Sequence, residues 1–147
     1  MNIREIIEII RQCFETRNFT PMVNLFAKDG VYETPYALDG SLIKSNGIDA
    51  IKKRFERVSE SSWNKAVTID TVTVETISLM ESNSAVARFF ISGKRNKDGA
   101  AFNFPSSVAI ITIKDGRIVH YCDYPNLLGI SKAAGLLMQL AGTLTDD

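Results

Sequence analysis

Histidine is nearly absent from this chain, with one residue in 147, and cysteine occurs only as Cys13 and Cys122. One imidazole and two scattered thiols supply no ligand cluster, so no metal site is expected. The cysteines have no paired spacing either, and buried free thiols in a reducing cytoplasm are the expectation. Charge of one sign is also lacking: 17 basic residues balance 17 acidic ones, with no like-charge run. That excludes an electrostatic footprint for nucleic acid or an anionic membrane surface. No apolar run approaches the ~20 residues needed to span a bilayer. The opening "MNIREIIEIIRQCFE" mixes Arg4, Glu5, Glu8 and Arg11 into its isoleucines, unlike a signal or transit peptide, so a cytoplasmic location is expected. Glycines fall in turn-like contexts and form no phosphate loop, so no cofactor is implied. A small, weakly charged ligand or a protein partner fits this composition.

What the chain does contain is periodicity. A length of 147 residues suits one domain with a real core, spanning the whole chain. Ile3, Ile6, Ile7, Ile10 and Phe14 place an apolar stripe on a first helix. "FTPMVNLFAKDG" reads as a short second helix, with Thr20 as cap, Pro21 at the first helical position and Gly30 as the stop. A strand, "VYETPY", follows at once. A third helix is expected after Asn46, with Ile48, Ile51, Phe55 and Val58 facing inward.

Beyond Trp63 the period changes to two. Val67 and Ile69 alternate in one phase and Val72 and Val74 in the other, so a bulge near Asp70 and Thr71 is expected. "MESN" at 80–83, "NKDG" at 96–99 and "KDG" at 114–116 read as the turns between four long strands, and Pro105 implies a bulge or an unpaired amide. A short C-terminal helix and polar tail, 127–147, close the chain. The order predicts an α+β fold: a curved antiparallel sheet with three N-terminal helices on its concave face, enclosing an apolar cavity.

Three segments, "FAKDGVYETP", "NGIDAIKKRF" and "KDGRIVHYCDYPNLLG", resemble in order and spacing the SnoaL-like proteins of the nuclear transport factor 2-like superfamily, over about residues 3–130. The resemblance implies a cone-shaped fold that hosts isomerases, cyclases, hydrolases, dehydratases and proteins without catalysis. Ketosteroid isomerases carry a general-base aspartate directly before the proline of the "ETP"-like segment, and that position is Thr34 here. Their oxyanion-hole aspartate falls near Val108 and their tyrosine near Ile10, so that activity is not expected. Limonene epoxide hydrolases resemble the stretch Tyr121, Cys122, Asp123 and Tyr124, but their Arg-x-Asp pair meets Arg88 and Phe90. In SnoaL-type cyclases and phenazine-biosynthesis relatives an acidic residue at the position of Asp123 serves as acid or base.

Asp123 is therefore the one catalytic candidate. By strand parity it shares a face with Tyr121 and Val119. If that face is concave, burial raises its pKa toward neutrality and suits it to general-base work; the other reading is a strand-end anchor that only accepts hydrogen bonds. Tyr32, Tyr36, Trp63, Phe90, Phe102 and Phe104 are candidate pocket walls, and each has an alternative reading as plain core. Thr34 and Val108 are further ligand contacts by the same correspondence, while Arg88 is either a pocket donor or an outer-face ion-pair partner. Glu33 should point away from Thr34. His120, Cys122 and Tyr124 share the opposite parity, on a convex face whose apolar patch predicts a homodimer. Two functions follow from the resemblance: a cofactor-free isomerase, cyclase or hydrolase acting through Asp123 on an apolar carbonyl-bearing or cyclic molecule, or a non-catalytic binding or interaction module of the same fold.

Overall fold

A computed structural model describes residues 1–78 and 83–145. Helix α1, Ile3–Thr16, opens on a capping box in which Asn2 Oδ1 accepts from the amides of Arg4 and Glu5, and Glu5 accepts from the Asn2 amide in return. These bonds satisfy amides that have no partner inside a helix. Its stripe is buried through Ile3, Ile6, Ile7, Ile10 and Cys13. Helix α2 covers only Thr20–Val23, capped by Phe19 rather than by the Thr20 side chain, and strand β1 already begins at Phe26 (Phe26–Glu33). The expected helix stops early because the chain turns at Leu25 and carries the buried Phe26 into the core as the first residue of a strand. A short strand β2, Lys44–Asn46, then precedes α3, Ile48–Glu60, whose cap is Gly47 at φ 85° and not Asn46.

A further helix not legible in the periodicity, α4 (Ser62–Ala66), is capped by Ser61 Oγ accepting from the Asn64 amide. Strands β3 (Val67–Ser78), β4 (Ser84–Arg95), β5 (Ala101–Lys114) and β6 (Arg117–Pro125) form an antiparallel meander. The expected bulge lies between Ile69 and Thr71. A second one accommodates Pro105, where the β4 partners run on from Phe89 to Phe90 while those on β5 jump from Ser107 to Pro105, leaving Ser106 as the extra residue. The β5–β6 turn has Asp115 and Gly116 both at positive φ, the geometry whose twist matches a hairpin. Of the "MESN" turn, residues 80–82 lie outside the described residues. The C-terminal segment is two helices, α5 (Leu127–Ala134) and α6 (Leu137–Thr145), because Gly135 takes a left-handed conformation between them.

The sheet is six-stranded, in the order β2-β1-β6-β5-β4-β3. It is not wholly antiparallel: β1 runs parallel to β6, since the helices and three hairpins lie between them. Phe14 of α1 meets Phe89 of β4 edge-on, with centroids 5.0 Å apart, and Tyr32 of β1 meets Phe55 of α3 at 5.1 Å. These contacts lay the helices on one face of the curved sheet. Ile6, Ile10, Phe89, Ile111 and Ile118 are fully buried between the layers, each stabilising the fold by about 1.5–3 kcal/mol.

Candidate functional site

Near one end of this interface the layers part around a cavity of about 250 Å³. Its sheet wall includes Tyr32, Thr34, Ile69, Ile91 and Asp123; α1, α3 and the segment between α1 and α2 supply Phe14, Arg17, Phe19, Arg54, Phe55 and Val58. Trp63 of α4 and Ile130 of α5 complete it with Ser106, Ser107 and Pro125. The lining is largely aliphatic and aromatic, with polar groups placed singly, as in small-molecule sites.

Asp123 reaches this wall through a break in parity. Between Thr112–His120 and Ile113–Ile118 the β5–β6 register shifts, leaving Val119 as the extra residue. Ile118 therefore joins Tyr121 in the core, and Val119 does not share their face as simple alternation predicts. Tyr32 stands beside Tyr121 across the parallel pair, rings stacked 5.1 Å apart, and its hydroxyl donates to Asp123 Oδ2 at 2.6 Å. Asp123 Oδ1 and the Tyr121 hydroxyl are buried with no hydrogen-bond partner among the described residues.

Burial is the main cause that pushes the Asp123 carboxyl from 3.8 up to about 6; the Tyr32 hydrogen bond and the Arg54 charge hold it back from rising further. Burial first, and then the nearby Asp123 charge, hold the phenols of Tyr32 and Tyr121 well above their ordinary value, so both keep their protons at neutral pH.

Arg54 belongs to the site although no motif pointed to it. Its guanidinium lies over the Tyr32 ring, 4.9 Å from the centroid, and donates to Thr34 Oγ1 at 2.6 Å and to the Leu42 carbonyl. Thr34 itself donates to that carbonyl at 2.7 Å. A signal was present: Ile51, Arg54, Phe55 and Val58 follow the i, i+3, i+4, i+7 spacing, which puts the arginine on the apolar stripe of α3. No motif pointed to Arg17 either. It follows α1 at φ 63°, with its guanidinium 4.7 Å from the Trp63 ring centroid.

Of the residues suggested by sequence, Tyr32, Thr34, Trp63 and Asp123 meet at the cavity, and Tyr121 lies behind Tyr32. Six others do not line it. Arg88 and Phe90 alternate with the buried Ala87, Phe89 and Ile91 and so point from the opposite face, where Arg88 pairs with Glu75. Val108, between Ser107 and the buried Ala109, shares that outer face opposite Tyr124. Tyr36 has left the sheet and is 80% exposed, its ring packed on Tyr124. Phe102 and Phe104 pack edge-on at 5.8 Å further along β5, beside Gly129 and Ala133 of α5. On the outer face Glu33 also meets His120, at 2.9 Å.

Helices on one face of an unclosed, curved sheet, with a pocket between the layers, constitute the ketosteroid isomerase-like, nuclear transport factor 2-like fold. The chain belongs to the SnoaL-like domain family, whose sequence profile matches residues 7–121. It is 30% identical over 112 residues to the uncharacterized protein YesE of Bacillus subtilis (strain 168), an alignment covering 76% of this chain and 72% of YesE. A proposed isomerase from Bacillus subtilis superposes with a TM-score of 0.71 at 25% identity, over 90% of this chain and 91% of that one. A Catenulispora acidiphila protein of ketosteroid isomerase-like fold, crystallised with trimethylamine, superposes with a TM-score of 0.65 at 17% identity, over 90% and 93% of the two chains. Among the described residues no helix is long and apolar enough to cross a membrane, and no cluster of three or more His, Cys, Asp or Glu side chains could hold a metal ion.

Proposed function

We propose that this protein is a cytoplasmic, cofactor-free enzyme of proton transfer, acting on an apolar carbonyl-bearing or cyclic molecule with Asp123 as acid or base. The observation that carries the reading is a single carboxylate on the wall of an apolar cavity, its pKa pushed up to about 6 by burial. Such a group is largely ionised at neutral pH yet basic enough to take a proton from a carbon beside a carbonyl, or from water. Tyr32 fixes the orientation of the carboxylate through its hydrogen bond to Oδ2. Transfer back from the protonated acid to another atom of the same ligand completes an isomerisation or cyclisation. Arg54, beside the same wall, is placed to stabilise negative charge that develops on the ligand oxygen.

A second reading has its own support. Asp123 is the only carboxylate on the cavity lining among the described residues, and Thr34 stands where the resemblance places an isomerase base. A fold that kept the pocket and lost the chemistry would present this arrangement, as a binding module. Loss of the α-proton signals of 2-tetralone in D2O separates the two: exchange accelerated by the protein and abolished in Asp123→Asn supports the enzyme, and unaccelerated exchange supports the binding module. An Asp123 carboxyl titrating in the ordinary range by NMR would overturn the acid–base role.

The homodimer remains part of the proposal. Val86, Phe90, Val108, Ile110 and Tyr124 are each only half-buried on the outer face of the sheet, which favours a second copy as its cover.

A further inference from the structure

The cavity lining holds two guanidinium groups, Arg17 and Arg54, and one carboxylate, Asp123. Among the described residues the ion pairs engage Arg11, Arg88, Arg95 and His120; neither cavity arginine has a carboxylate within ion-pair distance. Arg54 is held only by neutral acceptors: the Leu42 carbonyl, Thr34 Oγ1 and, at 3.5 Å, Ser45 Oγ. Arg17 likewise donates to the backbone and side-chain oxygens of Asn64. With Asp123 ionised the lining keeps one uncompensated positive charge, in surroundings where unpaired charge is costly.

Resting on the reading of this cavity as a small-molecule site, we infer that its ligand is an organic monoanion, a carboxylate on an apolar ring-sized body, whose charge is balanced by Arg17 and Arg54. One negative charge neutralises the lining. A phosphate dianion would overshoot it and would need more donors than this mostly apolar wall offers. The ring would occupy the space among Phe14, Phe19, Phe55 and Ile91. The balanced composition of the whole chain conceals this local excess, which exists only once α1, α3 and α4 converge on one wall.

The test compares 2-naphthoate with its neutral isostere 2-naphthamide by titration calorimetry at about pH 7, on the full chain and on Arg17→Gln and Arg54→Gln. The acid is expected to bind about tenfold or more tightly than the amide, as charge-assisted pairing implies, and each substitution should remove most of that preference. If Arg17→Gln fails to fold, Arg54→Gln carries the same comparison. An amide that binds as tightly as the acid, or a preference that survives both arginine substitutions, overturns the monoanion and leaves the apolar site standing. Binding of neither compound overturns both.

Discussion

Tyr32 donates a 2.6 Å hydrogen bond to Asp123 Oδ2 across 91 positions of chain, and both side chains are buried. The bond fixes one carboxylate oxygen and leaves the other without a partner among the described residues. Whether that arrangement anchors a strand or stores a reactive group is decided by how stability depends on pH.

The Asp123 carboxyl is raised from 3.8 to about 6 in the folded protein. Between those values the native state holds a proton that the unfolded chain has released, so the stabilisation is fully present below the lower value and is lost as pH rises through the upper one. Asp123→Asn has no such titration. Relative to that variant, the wild type is expected to lose about 3 kcal/mol between roughly pH 4 and pH 7. Thermal melts across the range should show the variant gaining on the wild type as pH rises. A variant clearly less stable than the wild type at neutral pH would identify Asp123 as a strand-end anchor.

Tyr32→Phe keeps the ring stack on Tyr121 and removes the donor to Asp123. Because that hydrogen bond lowers the Asp123 pKa, its loss should move the carboxyl further up, and the stability cost of about 1.5–3 kcal/mol should be larger above pH 6 than below it. NMR titration of the Asp123 carboxyl carbon in both proteins checks the direction.

Gly93 lies where β4 passes the β3 bulge, and a Cβ there would collide with the Thr68 carbonyl oxygen, which belongs to the backbone and cannot swing aside. Gly93→Ala is expected to cost about 3 kcal/mol or more, in the exceptional range for a single methyl group, because the two strands must separate. Denaturant melts read the loss directly.

Helix α6 contributes no buried residue, and Met138 is 82% exposed. Removing residues 137–147 should therefore change the midpoint of denaturant unfolding by little, within about 0.5 kcal/mol, as expected of surface changes. A larger loss would mean that α6 covers another surface in solution.

The outer face of the sheet leads to a mass prediction. Light scattering at micromolar concentration should give twice the chain mass, and Phe90→Glu, which puts a charge into the apolar patch, should give the monomer with the fold retained. A wild type that runs only as monomer removes the dimer.

Local pattern determined a good deal here. The stripe Ile3, Ile6, Ile7 and Ile10 requires an apolar partner face on any helix, and the change to period two after Trp63 makes a helix impossible to bury efficiently. Hence α1 and the β3–β6 meander, with its bulge at Asp70 and Thr71, are readable from composition and spacing alone. What only the tertiary structure decided is which distant groups become neighbours. The parallel pairing of β1 with β6 brings Tyr32 to Asp123, the bulge at Val119 resets which β6 side chains face inward, and the approach of α3 carries Arg54 to the same wall. Alternation expresses a property of each residue and its near neighbours, whereas register and packing express the lowest-energy fit of the whole core. For that reason Arg88 and Phe90, plausible by motif, face outward, while Arg17 and Arg54, unremarked in the chain, line the cavity.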